Sequence, residues 1–116
     1  MKSGCREVNL EAGMPTVERA VKRLTFEIHN SRGLGFAVLK IIHGYGSSGT
    51  GGRIRVEARR YLESMKRRRQ IVDYVAGEDF SIFDAASRAL LQKCPDLSRD
   101  HDLDRHNNGV TFIVLR

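Results

Sequence analysis

Apolar residues recur along the chain at spacings of three and four residues in two segments, which is the pattern of amphipathic helices. The first segment follows Thr16, whose hydroxyl can cap a helix N-terminus, and it ends at residues 30–33. The second covers residues 53–69 and is rich in arginine. The two apolar stripes are Val17, Ala20, Val21, Leu24 and Ile28 in the first helix, and Ile54, Ala58, Tyr61, Leu62 and Met65 in the second.

Short apolar and β-branched runs predict the strands. Residues 37–42 contain Lys40 as their only polar side chain, so we expect a central strand there. Other strands are predicted at residues 8–10, 71–75 and 109–115.

The order of these elements predicts an α/β fold formed by residues 1–116 as one domain. Strand–helix–strand units favour parallel pairing with right-handed crossovers. We therefore expect a two-layer sandwich with a four-stranded, mostly parallel sheet, two main helices on one face and the other face partly open. We expect residues 77–108 to be an insertion before the last strand, with a short helix capped by Asp84.

The net charge indicates the class of binding partner, and the cysteine content indicates the cellular compartment. The 116 residues carry a formal charge of +6 and a pI near 9.8, which favours a polyanion such as nucleic acid. Cys5 and Cys94 lack the spacing of a zinc site or a disulfide framework, which predicts a reducing cytoplasm. The N-terminus has no apolar signal segment, and no apolar run reaches the ~20 residues of a membrane span.

The glycine-rich segment at residues 43–52 lies between a predicted strand and a predicted helix, where backbone N–H groups and the helix N-terminus favour phosphate. His43, at the strand end, is the candidate for proton transfer. The predicted phosphate or nucleic-acid ligands are Gly44, Gly46, Gly49, Gly51, Gly52, Arg53, Arg55, Arg59, Lys66 and Arg67.

Two features near this segment have competing interpretations. Residues 44–49 also fit the dinucleotide-binding pattern GxGxxG, with Asp73 downstream, but the following helix begins too late for it, and a Walker A sequence is absent. The basic run at residues 66–69 either contacts a nucleic-acid backbone or complements the negative end of its helix.

Several motifs together resemble the Smr domain, the small MutS-related module. They are the strand and HGxG segment at residues 41–46, Gly51-Gly52 with Ile54-Arg55, the closing strand at residues 109–115, and residues 16–18 with Ala20. The resemblance implies a two-layer α/β fold, nucleic-acid binding and, in several members, nicking or cleavage of DNA or RNA.

The first motif of that family is altered here, because Asn9 and Glu11 stand where the family has an aspartate and a histidine. Glu11 follows the first strand and is the candidate to replace the missing histidine as a base. Residues 100–106 carry ligand-type side chains, but we expect a solvated loop and predict no metal site. The sequence leaves the cofactor unknown.

Three function hypotheses follow. The first is a nucleic-acid-binding, Smr-like domain with weak endonuclease activity. The second is a binding module that lost catalysis with the first motif. The third is a protein-interaction or small phosphate-ligand domain. DNA and RNA stay alternatives as partners.

Overall fold

The computed structural model describes residues 4–45 and 50–116, and these form four strands and three α-helices. In chain order the elements are β1 (Cys5–Asn9), α1 (Val17–Gly33), β2 (Val38–Ile42), α2 (Thr50–Arg67), β3 (Asp73–Ala76), α3 (Ala85–Lys93) and β4 (Val110–Val114). Two short 3-10 helices, Gly77–Asp79 and Pro95–Arg99, flank α3.

The sheet is mixed, with strand order β1-β2-β4-β3. β1 and β2 pair in parallel, whereas β4 is antiparallel to both of its neighbours, β2 and β3. The predicted mostly parallel sheet is therefore wrong for β4. The first three strands share one direction, as helical crossovers require, but the chain crosses the sheet after β3 and returns between β2 and β3 in the opposite direction.

Helices α1 and α2 cover one face of the sheet, as predicted. Thr16 is the N-cap of α1, and its hydroxyl accepts a hydrogen bond from the Arg19 N–H at 3.2 Å. Both helices bury most of the predicted stripes against alternate residues of β2 and β4, which include Leu39, Ile41 and Ile113. The stripe residues Val17, Val21 and Tyr61 are only half-buried. Because α1 and α2 each follow one of the codirectional strands, they run parallel to each other and begin at the same edge of the sheet.

The opposite face was expected to be partly open, but residues 77–108 cover it and form a third layer. Phe80, Leu90 and Leu97 from this segment join a second apolar core with the other face of β2 and β4. The rings of Phe80 and Phe112 lie 4.3 Å apart between centroids. β4 is buried along its whole length, so its continuous apolar pattern reflects a strand covered on both sides.

Lys40 is a buried cation inside the second core, with 2% of its side chain exposed. Its Nζ lies 2.6 Å from Asp102 Oδ2, 3.0 Å from Asp100 Oδ1 and 3.7 Å from Glu7 Oε1. Burial opposes its charge, but the hydrogen bonds that its ammonium group donates to the two aspartates outweigh this and raise the pKa of Lys40. Asp100 and Asp102 belong to the loop that was predicted to be solvated, and instead they pair with Lys40, the polar side chain of β2.

Two further observations concern the cysteines and the helices. Cys5 and Cys94 are free thiols, and burial raises the pKa of Cys5 to about 12, so this thiol is protonated at neutral pH. Within residues 4–45 and 50–116, no helix combines the length and the apolar composition that crossing a membrane requires.

Candidate nucleic-acid interface

The predicted site residues gather mainly at one edge of the sheet, where β1 and β2 end and where α1 and α2 begin. Glu11 follows β1, His43 follows β2, Arg55 lies in the second turn of α2 and Arg59 lies one turn further along this helix. Such an edge of an α/β sheet commonly holds the functional site. The contacts of each residue show what it can do there.

His43 belongs to a closed hydrogen-bond network, and its side chain has no solvent exposure. Its Nδ1 lies 2.8 Å from the Gly44 carbonyl oxygen, so Nδ1 carries the proton and donates. Its Nε2 then accepts from the Thr111 hydroxyl at 2.8 Å. The same Thr111 oxygen accepts from Arg59 Nε at 3.1 Å. The network therefore fixes the tautomer and orientation of the imidazole.

The electrostatic setting keeps His43 neutral. Burial, reinforced by the positive charges of Arg59 and Arg55, lowers its pKa to about 4. Both ring nitrogens are engaged within the protein, so transfer of a proton to a ligand requires the ring to leave Thr111 or Gly44. The ring therefore has a structural role through its hydrogen bond to the Gly44 carbonyl, whereas the catalytic role of His43 stays a prediction.

A carboxylate lies beside the first glycine of the predicted phosphate loop. Gly44 has φ +76°, and a Cβ placed on it would lie 2.5 Å from Glu11 Oε2. The Glu11 N–H donates to Asn9 Oδ1 at 2.8 Å, which gives Asn9 a turn-forming role. The Gly44 N–H donates to the Gly109 carbonyl at 3.1 Å. Gly44 therefore directs the chain past Glu11, and its N–H is not turned toward a ligand.

The rest of the predicted glycine loop divides into two parts. Gly46 and Gly49 lie outside the described residues, and Gly51 and Gly52 lie in the first turn of α2. Just beyond them, Arg53 is exposed and Arg55 is half-buried, and neither makes an ion pair within residues 4–45 and 50–116. Both border a groove of about 870 Å³ between the N-terminal halves of α1 and α2.

Arg59 was predicted to bind phosphate but is held by an acid of the third layer. Its Nη1 and Nη2 each lie 2.7 Å from an oxygen of Glu78, and Nη2 also donates to the Val110 carbonyl at 3.2 Å. Burial opposes the charge of Glu78, yet its hydrogen bonds from Arg59 lower the pKa of this carboxyl. Arg59 in this arrangement is a structural cation that supports Thr111 and His43.

The remaining predicted ligands lie at the other end of α2. Lys66 forms an ion pair with Asp73 at 3.0 Å, and Arg67 is exposed. Lys66 and Arg69 border a second groove with His29 and Arg32, at the C-terminal ends of both helices. At 1.5 Å per residue, Arg53 and Lys66 are about 20 Å apart along the helix axis. The two sets of cations therefore cannot hold the same phosphate.

Charge is distributed unequally between the layers. Residues 50–69 contain eight Lys or Arg and two Asp or Glu, so this segment alone carries +6, the formal charge of the whole chain. Residues 77–108 contain four Lys or Arg and seven Asp or Glu, a formal charge of −3. The sheet thus separates a basic helical layer from an acidic one.

One group of metal-ligand side chains occurs in the described part of the chain. One ligand atom from each of Asp100, His101 and Asp102 lies within 4.8 Å of the others. Both aspartates already contact Lys40 Nζ, so both carboxylates are engaged by an ammonium group.

Sequence reasoning missed three participants in the site. Thr111 contacts His43, and Glu78 contacts Arg59. The partners in each pair are distant in sequence, so no local pattern indicated these contacts. Tyr45 stands between two glycines of the candidate loop and is 58% exposed; its aromatic character was the available signal.

Comparison with known proteins finds no matching family model, no similar curated protein and no similar solved structure. The resemblance to the Smr domain therefore rests on the motif residues of the chain itself.

Proposed function

We propose that this chain is a nucleic-acid-binding domain that contacts the phosphate backbone with the layer formed by α1 and α2. The observation that carries the proposal is the concentration of the entire net charge, +6, in residues 50–69. Five arginines of this segment make no ion pair within the described residues: Arg53, Arg55, Arg67, Arg68 and Arg69. A phosphate polymer is the common biological partner for such a surface.

The spacing of these arginines favours an extended polyanion over a small phosphate ester. Arg53 lies near the start of the 18-residue helix α2 and Arg67 at its end, and this helix is about 27 Å long at 1.5 Å per residue. A small ligand needs donors that converge on one point, whereas a strand presents phosphates at regular intervals. Phosphate contacts position the partner without reading its sequence, so this surface suits DNA or RNA.

Binding without cleavage has better support than nuclease activity, because His43 is buried, neutral and engaged at both nitrogens. Nuclease activity stays the second candidate, since the Smr-like HGxG segment is present and the Glu11 carboxylate lies against it. Incubation with single-stranded, duplex and branched substrates, with and without divalent metal, separates the two. Cleavage that is lost in the Glu11→Gln variant would favour the nuclease.

A salt titration tests the binding proposal. Log affinity for an oligonucleotide should fall linearly with log salt concentration, with a slope of about −0.7 to −0.9 per phosphate contacted. The variant Arg67→Gln/Arg68→Gln/Arg69→Gln should bind more weakly and show a shallower slope. The control Arg88→Gln/Lys93→Gln/Arg99→Gln removes the same charge from the acidic layer, and it should retain the wild-type slope.

The matched pair of variants separates a located surface from general charge. Equal losses in both variants would mean that overall charge, and not the α1/α2 layer, drives binding. Affinity that is unmeasurable at low salt, or unaffected by salt, would exclude the proposed function.

A further inference from the structure

Tyr45 is an exposed aromatic side chain at the edge of the sheet where the candidate site lies. Its ring is 58% exposed, although it is only two residues beyond the fully buried His43. Its hydroxyl makes no hydrogen bond within the described residues. An exposed aromatic ring on a basic protein is the combination that single-strand-binding proteins use to stack bases.

The backbone supports the ring from one side. A Cβ placed on Gly109 would lie 3.1 Å from Tyr45 Cδ1 and 3.6 Å from the Gly44 Cα, so the missing side chain at Gly109 provides the space in which the ring rests. Asn107 holds Gly109 by accepting from its N–H at 2.9 Å. The Asn107 side-chain amide in turn donates to Asp102 at 2.9 Å, which links this support to the buried Lys40 cluster.

A cation without an ion pair borders the same loop. Arg55 contributes to lowering the pKa of His43, so its charge acts on the residue two positions before Tyr45. Arg53 and Arg55 lie near the start of α2, at the same edge of the sheet. The other strongly exposed aromatic rings, Phe26 at 64% and Phe83 at 84%, lie on the outside of α1 and in the acidic segment.

We propose that Tyr45 stacks against an unpaired base, which makes the preferred ligand a single strand or an unpaired end rather than a continuous duplex. This inference rests on the proposed nucleic-acid binding and adds the class of ligand. A base inside a duplex already stacks on its neighbours, so only an unpaired base presents a face to the ring. Stacking accepts any base, so no sequence preference follows.

The test compares a thymidine single strand, an abasic strand of the same length and a duplex at one low salt concentration. Wild-type protein should bind the thymidine strand roughly 5- to 150-fold more tightly than the abasic strand. Tyr45→Ala should remove most of this difference, and Tyr45→Phe should retain it. Phe83→Ala is the matched control and should behave as wild type. On the duplex, Tyr45→Ala should change affinity less than twofold.

A second measurement does not depend on the folding of the alanine variant. The thymidine strand should quench tyrosine fluorescence in wild type, and this quenching should disappear in Tyr45→Phe. Equal wild-type affinity for the thymidine and abasic strands, or unchanged quenching in Tyr45→Phe, would overturn the stacking proposal and leave phosphate binding in place. Absence of binding to all three ligands would instead exclude the proposed function itself.

Discussion

The two layers that cover the sheet use charge in different ways. In residues 77–108, three of the seven acidic side chains pair with cations of the neighbouring elements: Asp100 and Asp102 hold Lys40, and Glu78 holds Arg59. In residues 50–69 most basic side chains point outward, and five arginines make no ion pair within the described part of the chain. The acidic layer therefore uses its charges to attach itself to the sheet.

The contrast shows that a count of charges does not locate a binding surface. Arg59 and Arg55 lie one turn apart on the same helix and carry the same charge, yet Glu78 occupies the guanidinium of Arg59 alone. A buried or paired charge is a structural element, whereas an unpaired exposed charge can exchange water for a phosphate. Variants that alter each layer separately can test this distinction.

The largest effect is expected in the acidic layer, at Lys40. Lys40→Met should lower the free energy of unfolding by about 3–5 kcal/mol, because Asp100 and Asp102 would stay buried without their cation. Urea denaturation at pH 7 measures this loss. Nucleic-acid affinity of the folded fraction should remain within twofold of wild type, since the cluster lies on the other side of the sheet.

A combined variant provides the control for Lys40. Lys40→Met/Asp100→Asn/Asp102→Asn removes the uncompensated charges and should recover most of the lost stability. If Lys40→Met unfolds at the same urea concentration as wild type, the cluster does not attach the acidic layer to the sheet.

The next effect concerns His43, on the basic side of the sheet. Its pKa is about 4 in the folded protein against an ordinary value of 6.5, so the unfolded chain binds more protons between these two pH values. Stability from this group is complete above pH 6.5 and is lost as pH falls toward 4. Unfolding free energies measured at pH 7 and pH 5 should differ by about 2 kcal/mol from His43 alone.

His43→Gln should flatten that pH dependence, and the exposed His29 serves as the control. His29→Gln should retain the wild-type dependence. A His43→Gln chain that loses the same stability as wild type between pH 7 and pH 5 would show that the histidine is not buried in neutral form.

The smallest effect is expected from Glu78→Gln, which releases a cation of the basic layer. The Glu78 and Arg59 side chains are 35% and 19% exposed, so solvent screening limits the stability loss to below about 1 kcal/mol. If the freed Arg59 reaches a phosphate, the slope of log affinity against log salt should steepen by about 0.7–0.9. Asp96→Asn removes an equal charge at an exposed site and should leave the slope unchanged. An unaltered slope in both variants would assign Arg59 a purely structural role.

Local patterns predicted the helices and the central strand well. Thr16 as the N-cap of α1 is confirmed, and the stripes of both helices are buried except at Val17, Val21 and Tyr61, which are half-buried. The direction of β4 was not predictable from local patterns, because it depends on where the chain returns to the sheet after residues 77–108. The ion pair of Lys40 was also not predictable, since its partner Asp100 is sixty residues away in sequence.

The site was predictable in position more than in contacts. A histidine at the end of a strand and arginines at the start of a helix were placed correctly at one edge of the sheet. Whether those side chains are free depends on Thr111 and Glu78, whose approach is a property of the tertiary fold. From the sequence, Arg55 and Arg59 were therefore equal candidates for binding phosphate. Only the structure shows that Arg59 is paired with Glu78.

The separation of charge across the sheet also has a consequence for the orientation of the molecule as it approaches a polyanion. Positive residues 50–69 and negative residues 77–108 lie in different layers, so the molecule has an electric dipole directed across the sheet. Near a polyanion this dipole experiences a torque that turns α2 toward the polymer before contact. More collisions then occur in a productive orientation, and the association rate constant should rise as ionic strength falls.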